Sequence, residues 1–138
     1  MQQALIHPLS MVSSDGRALS KKGFLGEAKP HPRNYGTFPR VLGRYVREKG
    51  LLTLESAVKK MSFMPAAKIG IRGRGLLREG NYADIVIFDA EKIIDTATYD
   101  NPHQYPLGIE YVIVNGELVI CDGEHTEMLP GRTLLLGK

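Results

Sequence analysis

The 138-residue chain contains one cysteine and no tryptophan, and none of its apolar runs is long. A single cysteine, Cys121, excludes an internal disulfide framework and a cysteine-cluster metal site. No run approaches the roughly 20 apolar residues that a membrane-spanning helix needs. Residues 1–10 also lack the basic and apolar regions of a secretory signal. We therefore expect a cytoplasmic chain that does not use a membrane as a partner.

An excess of charge of one sign is also missing. The sequence has 18 basic and 15 acidic residues, a net charge of +3. Nucleic-acid-binding proteins usually concentrate basic residues on one face, whereas the basic clusters here are short, so we expect no nucleic acid partner. The hydrophobic fraction of 43% and the charged fraction of 24% are typical of a globular domain.

The first half of the sequence predicts one short strand, a long loop and two helices. The strand ends near Ser13, and residues 15–36 are rich in Gly, Pro and Lys with little periodicity, which indicates a loop. Apolar residues at helical spacing predict a helix that Thr37 caps and that ends near residue 50. A second predicted helix is capped by Thr53 and closed by Met64-Pro65.

The second half changes to the pattern of β structure. Residues 83–89 are β-branched and too few for a helix, so they predict a buried strand. Asn115-Gly116 lies between two β-branched runs and predicts a type I′ hairpin, because both turn positions need a positive φ. A last strand is predicted over 133–136.

Several common catalytic and ligand-binding motifs are absent from the sequence. The glycine-rich residues 70–80 lack the third glycine and the following helix of a phosphate-binding loop. Ser13 and Ser14 do not lie in a Gly-x-Ser-x-Gly turn. The four histidines show no metal-binding spacing; they are His7, His31, His103 and His125. The sequence therefore gives no support to nucleophilic catalysis or to a self-contained zinc site.

Asp15 is the residue on which the functional question depends. It follows an apolar run and two serines and precedes Gly16, an arrangement by which a strand delivers a carboxylate to the mouth of a site. Ser-Asp-Gly is equally an ordinary turn in which the aspartate caps its own backbone. In the loop that follows, Arg33 has the planar fork that binds carboxylates and phosphates. In a purely structural role, His31 and Arg33 would instead anchor the loop through its backbone carbonyls.

Four segments together have a recognisable pattern. They are Ser13-Ser14-Asp15-Gly16, His31-Pro32-Arg33-Asn34-Tyr35-Gly36-Thr37-Phe38-Pro39-Arg40-Val41-Leu42-Gly43, Gly80-Asn81-Tyr82-Ala83-Asp84-Ile85-Val86-Ile87-Phe88-Asp89 and Val114-Asn115-Gly116. With these residues the chain after about Met11 resembles the C-terminal part of the D-aminoacylases, the N-acyl-D-amino-acid deacylases of the amidohydrolase superfamily. The second segment is specific to that branch, whereas the last two occur across amidohydrolases.

The resemblance implies a mixed α/β fold, a metal-dependent (β/α)8 barrel flanked by a small β-sandwich. Residues 1–66 would supply the end of the barrel (its last strand, a long active-site loop and two helices), and residues 67–138 the β-sandwich subdomain. In such enzymes zinc-bound water attacks an amide carbonyl, here that of an N-acyl-D-amino acid. Asp15 would end the eighth strand as the catalytic, proton-shuttling and metal-facing aspartate. The resemblance places His31, Arg33 and Tyr35 near the substrate.

The chain is shorter than this pattern requires. A barrel of this kind takes roughly 250 residues, and a catalytic zinc takes about three protein ligands, yet the sequence has no His-x-His pair. We therefore expect the chain alone to be inactive and to bind no zinc tightly. Its apolar strands and helices would normally pack on neighbours, so we expect a homo-oligomer or association with the missing barrel portion. The alternative is a non-catalytic β-rich assembly or binding module derived from an amidohydrolase.

Overall fold

The computed structural model describes residues 2–135 and has a mixed α/β architecture, with helices first and an antiparallel sheet after them. The elements are α1 (Gln2–Ile6), a 3₁₀ turn (Phe24–Gly26), α2 (Arg33–Arg40), a π-helix (Val41–Glu48), α3 (Leu54–Met61), α4 (Phe63–Ile69), β1 (Ile85–Phe88), β2 (Ile109–Val114), β3 (Glu117–Cys121) and β4 (Glu124–His125). The strands form one sheet in the order β1-β2-β3-β4. The predicted mixed α/β class is confirmed. No helix within residues 2–135 has the length and apolar character to cross a membrane.

The segment before Ser13, predicted as a strand, is not one in the structure. Its start forms α1, and residues 10–20 have no regular secondary structure. A strand needs a neighbouring strand for its backbone hydrogen bonds, whereas the Val12 N–H donates to the carbonyl of Lys60 on α3 at 3.2 Å. The buried Lys60 ammonium also donates to three oxygens of residues 7–10. The segment is therefore fixed against a helix.

The first long helix begins earlier than its predicted cap. It starts at Arg33, directly after Pro32, whose φ of −52° suits a first helical turn. Thr37 lies inside α2, where its hydroxyl donates to the Arg33 carbonyl at 3.0 Å, so its prediction as the N-cap is wrong. Pro39 lacks the N–H that would continue the regular ladder, and the helix widens into the π-helix from Val41.

The second predicted helix is correct at its start and wrong at its end. The Thr53 hydroxyl accepts the N–H of Ser56 at 3.2 Å, which confirms Thr53 as the cap of α3. The helix ends at Met61, and Pro65 lies in the first turn of α4. Proline is tolerated there because the first N–H groups of a helix have no intrahelical acceptor.

The predicted hairpin is confirmed. Asn115 and Gly116 have φ angles of 51° and 86° between the antiparallel strands β2 and β3. The predicted buried strand over 83–89 is shorter, and its burial is wrong, since Val86 and Ile87 on β1 are about half exposed. Residues 133–135 of the last predicted strand are irregular, and Leu136 lies outside the described residues.

The helices and the sheet half share one small core. Its buried members are Val41, Leu42, Ala57 and Ile93. The last of these follows β1 and packs on the helices, while its carbonyl accepts a hydrogen bond from Arg47 at 2.7 Å. A Cβ at Gly43 would lie 2.4 Å from the Ile93 carbonyl oxygen, so only glycine permits this approach. The helical half and the sheet half are thus held together at the π-helix.

Two of the resembling segments meet in a charged network at the hairpin. The Asp84 carboxylate accepts the N–H of Asn115 at 2.8 Å and pairs with Arg74. The Arg74 guanidinium donates to the Asn115 side chain and stacks on the Tyr82 ring at 4.2 Å. Burial raises the pKa of Asp84, but the Asn115 hydrogen bond and Arg74 outweigh it and hold that pKa below its usual 3.8. These motif residues therefore stabilise the hairpin end of the sheet.

Candidate functional site

Asp15 and Arg33 form an ion pair, with 3.0 Å between Oδ2 and Nη2. Asp15 has a φ of 47°, a left-handed conformation that aspartate tolerates better than most residues. The turn is closed by the Ser14 hydroxyl, which accepts the Gly16 N–H at 3.1 Å. The Asp15 carboxylate is therefore not used to cap its own turn, and 83% of the side chain is exposed. Neither alternative holds as predicted, because no strand leads to Asp15 and its carboxylate pairs with Arg33 instead of capping its own backbone.

Asn34, a residue of the branch-specific segment, joins the two ends of the site loop, residues 13–36. Its Oδ1 accepts the Arg17 N–H at 2.6 Å, and its amide donates to the His31 carbonyl at 2.9 Å. A Cβ at Gly16 would lie 3.1 Å from the Asn34 Cα, so the turn approaches α2 closely. The signal available in the sequence was an asparagine inside the branch-specific segment.

A shallow cavity of about 170 Å³ lies between the Asp15 turn and the start of α2. It is lined by Ser14, Gly16, Arg17, Ala18, Arg33, Asn34, Tyr35, Thr37 and Phe38. Two guanidinium groups, an amide and the Ser14 hydroxyl among these residues are donors for a carboxylate or amide oxygen. The cavity can therefore hold the polar end of a small molecule.

Tyr35 lines this cavity and is also tied to His103. Its hydroxyl is 2.8 Å from the His103 Nδ1. Burial raises the pKa of the Tyr35 hydroxyl, and the nearby Tyr105 raises it further. The phenol therefore keeps its proton at neutral pH and can donate or accept a hydrogen bond.

His31 does not line the cavity, and both of its ring nitrogens have protein partners. Nδ1 accepts the Arg33 N–H at 3.0 Å, so Nε2 carries the proton in a neutral ring and donates to the Tyr99 hydroxyl at 3.0 Å. The two rings pack edge to face, with centroids 5.0 Å apart. These contacts hold the loop, but through a backbone N–H and a tyrosine hydroxyl instead of the backbone carbonyls expected of a loop anchor. No described contact tests a substrate-binding role for His31.

The residues present do not by themselves fit a zinc centre. Within residues 2–135, no three His, Cys, Asp or Glu side chains are grouped to hold a metal. Asp15 is an open carboxylate that could supply one oxygen, but a catalytic zinc takes about three protein ligands. The expected absence of tight zinc binding by this chain alone stays a prediction.

Comparisons with known proteins identify a family and several relatives that this chain resembles. Residues 24–120 match the amidohydrolase family. The chain is 48% identical to an N-acyl-D-glutamate deacylase of Alcaligenes xylosoxydans xylosoxydans over 128 residues, which is 93% of this chain and 25% of that protein. It is 42% identical to a D-aminoacylase of the same organism over 97% of this chain and 26% of that protein. The chain thus spans about a quarter of the length of the curated relatives it matches.

Solved structures agree with these relatives. A D-aminoacylase crystal structure superposes with a TM-score of 0.87 at 43% identity, covering 96% of this chain and 27% of that one. An N-acyl-D-glutamate deacylase of Bordetella bronchiseptica, solved with zinc and a phosphonate inhibitor, has a TM-score of 0.77 at 44% identity over 90% of this chain and 26% of that one. The resemblance identified from the sequence segments is confirmed.

Proposed function

The chain belongs to the amidohydrolase family, and from that membership we propose that it is the C-terminal portion of a zinc-dependent hydrolase that deacylates N-acyl-D-amino acids. In this proposal residues 1–66 complete a (β/α)8 barrel and residues 67–138 form a small β-sandwich subdomain. The order of helices before an antiparallel sheet supports two units, and α4 (Phe63–Ile69) crosses the boundary between them. Three curated relatives that deacylate D-amino acid derivatives, each matching over 90% of this chain, also support the proposal.

The single observation that carries the proposal is the Asp15–Arg33 ion pair beside the cavity. The Asp15 side chain is 83% exposed, so its carboxylate is open to a substrate that enters from the solvent side. Arg33 lies within reach of the same space and can bind a substrate carboxylate through its fork. The two roles need both groups at one place, and the loop brings them there from positions 18 residues apart in sequence.

Each candidate residue has a role in this proposal. Asp15 is the catalytic, metal-facing aspartate, which accepts a proton from the attacking water and returns it to the leaving amine. Arg33 binds the substrate carboxylate, and Tyr35 hydrogen-bonds the substrate from the cavity wall. His31 lies near the substrate in this proposal, and its ring also holds the loop through Tyr99. Bound zinc would polarise the amide carbonyl and supply the attacking water, but its other ligands would have to come from outside this chain.

We infer a cytoplasmic location and a small-molecule partner. One cysteine in 138 residues supports the location. The names of the relatives support an N-acyl-D-amino acid as the substrate.

The test combines this chain with the remaining part of the Alcaligenes N-acyl-D-glutamate deacylase, a complex called here the assembled enzyme. We expect no hydrolysis of N-acyl-D-glutamate by the chain alone and measurable hydrolysis by the assembled enzyme. Asp15→Asn should remove that activity, whereas the matched substitution Asp100→Asn on an exposed turn should keep it. Equal activity in both variants would contradict the role of Asp15.

A second candidate function is a non-catalytic assembly module. It is favoured by large exposed apolar side chains, among them Leu9, Met11, Leu77 and Val86. Leu9 and Met11 line a second, apolar cavity of about 480 Å³ against α4. Exposed apolar surface of this kind tends to be covered by association. Stable association with itself, together with no deacylation by the assembled enzyme, would favour this candidate.

A further inference from the structure

A loop between β1 and β2, residues 95–106, contacts the candidate site. It is closed at its base by Ile94 and Leu107, which exchange both backbone hydrogen bonds at 3.0 and 3.3 Å. Within it the Thr96 hydroxyl donates to the Tyr105 carbonyl at 2.8 Å. Ala97 and Pro102 are buried. The 95–106 loop therefore has a defined shape of its own.

This loop makes four polar contacts with the site loop and α2, and its Tyr105 ring also packs against Lys21 and Tyr35. Tyr99 contacts His31, and Asp95 pairs with Arg40 on α2 at 2.6 Å. His103 makes the other two contacts, which both lie on its ring. The paired residues are 55 to 75 positions apart in sequence. The site loop itself has little buried surface, so these distant contacts are the main restraint on its position.

The hydrogen bonds of His103 determine which of its ring nitrogens carries the proton. Its Nε2 lies 2.7 Å from the Ala28 carbonyl oxygen, which can only accept, so Nε2 carries the hydrogen. In the neutral ring Nδ1 is then an acceptor, and the Tyr35 hydroxyl at 2.8 Å donates to it. One imidazole thus holds the site loop at two places, seven residues apart.

We propose that His103 is a positioning residue for the candidate site: it holds the hydroxyl of Tyr35, a residue of the cavity wall, and ties the Ala28 carbonyl to the same ring. The inference rests on the proposed function, because Tyr35 is given its substrate contact there. The contact with His103 sets the hydrogen-bonding role of the Tyr35 hydroxyl as well as its position. With its proton donated to His103, Tyr35 offers oxygen lone pairs to a ligand, and a substrate N–H is the group that matches them.

The first test reads the His103 ring directly in the 138-residue chain. Long-range ¹H–¹⁵N spectra should show His103 protonated on Nε2, with Nδ1 unprotonated. Tyr35→Phe removes one oxygen and should shift the His103 Nδ1 signal while leaving those of His7 and His125 in place. A His103 ring protonated on Nδ1, or an Nδ1 signal that Tyr35→Phe does not move, would overturn the inference.

The second test uses steady-state kinetics of the assembled enzyme. His103→Ala should raise KM roughly tenfold, the effect of one lost hydrogen bond, with a smaller change in kcat. His103→Asn keeps an acceptor near the Nδ1 position and should restore most of the KM. His125→Ala, on the distant strand β4, is the matched control and should leave both constants unchanged. A lower kcat at constant KM, or no effect of His103→Ala, would contradict the positioning role.

The two tests separate this inference from the proposed function. If the unsubstituted assembled enzyme hydrolyses no N-acyl-D-amino acid, the proposed function fails, and the spectra of the first test still decide whether His103 holds Tyr35. If His103→Ala fails to fold, Tyr35→Phe and His103→Asn give the same comparison with smaller changes.

Discussion

Replacing Gly36 by alanine is expected to destabilise the chain and to displace the 95–106 loop from the site. A Cβ at position 36 would lie 2.6 Å from the Cβ of Asp95, whereas carbon atoms in contact need about 3.5–4.0 Å. Asp95 cannot move aside by rotating its side chain, because its Cβ is attached to the backbone. Its carboxylate is also fixed by Nε and Nη2 of Arg40, at 2.8 and 2.6 Å. The backbones of α2 and the loop must therefore separate by roughly 1 Å.

The expected size of the effect follows from two opposing contributions. Overpacking of a well-packed contact costs about 1–3 kcal/mol, and a clash with a Cβ next to the backbone lies in the upper part of that range. Alanine in a helix interior is favoured over glycine by up to about 1 kcal/mol. The free energy of unfolding should thus fall by about 1–2 kcal/mol.

Urea denaturation of Gly36→Ala and Gly131→Ala measures this difference. Gly131 is the control, since a Cβ there would meet nothing within 4 Å. We expect a clear loss of stability for Gly36→Ala and little change for Gly131→Ala. A Gly36→Ala protein as stable as the unsubstituted chain would refute the close contact between α2 and the 95–106 loop.

Three further predictions concern the cap, the charged network and the apolar surface. Thr53→Ala should lower the free energy of unfolding by about 1 kcal/mol in urea denaturation, because the Ser56 N–H loses its acceptor; no loss would contradict the cap. The lowered pKa of Asp84 means that its contribution to stability is present at neutral pH and is lost as the pH falls below 3.8. The Asp84→Asn variant should therefore be less stable than the unsubstituted chain at neutral pH and should lose less stability on acidification. Thermal unfolding as a function of pH checks this, with Asp100→Asn as the control. Met64→Lys in the apolar cavity should weaken self-association in sedimentation velocity, and a 15.3 kDa monomer for the unsubstituted chain at all concentrations would contradict that association.

Features that depend on a few neighbouring residues could be predicted from the sequence. The Thr53 cap needs only the N–H three residues on, and Asn115-Gly116 needs only its own two positive φ angles. The predicted start of α2 is wrong because the sequence holds two helix-start signals. Pro32 sets the backbone of the first turn, so the helix has already begun when the chain reaches Thr37. Local rules identify such signals but do not rank them.

Features that depend on distant partners could not be predicted in the same way. The segment before Ser13 reads as a strand, but a strand exists only where another strand accepts its hydrogen bonds. At the site, the sequence indicates Asp15 and Arg33 as candidate functional residues but does not indicate the ion pair that joins them. His103 carried no signal because its partners, Tyr35 and Ala28, are 68 and 75 residues away. Only the tertiary structure brings the 95–106 loop to the site.

The proposed deacylase activity is measured most directly by the initial rates of the assembled enzyme with N-acyl-D-glutamate and with its L-enantiomer. We predict zinc-dependent hydrolysis of the D-enantiomer, no hydrolysis of the L-enantiomer, and loss of activity in Asp15→Asn. The chain alone should give no hydrolysis with either substrate. An assembled enzyme without D-specific hydrolysis, or one that Asp15→Asn leaves fully active, would contradict the account.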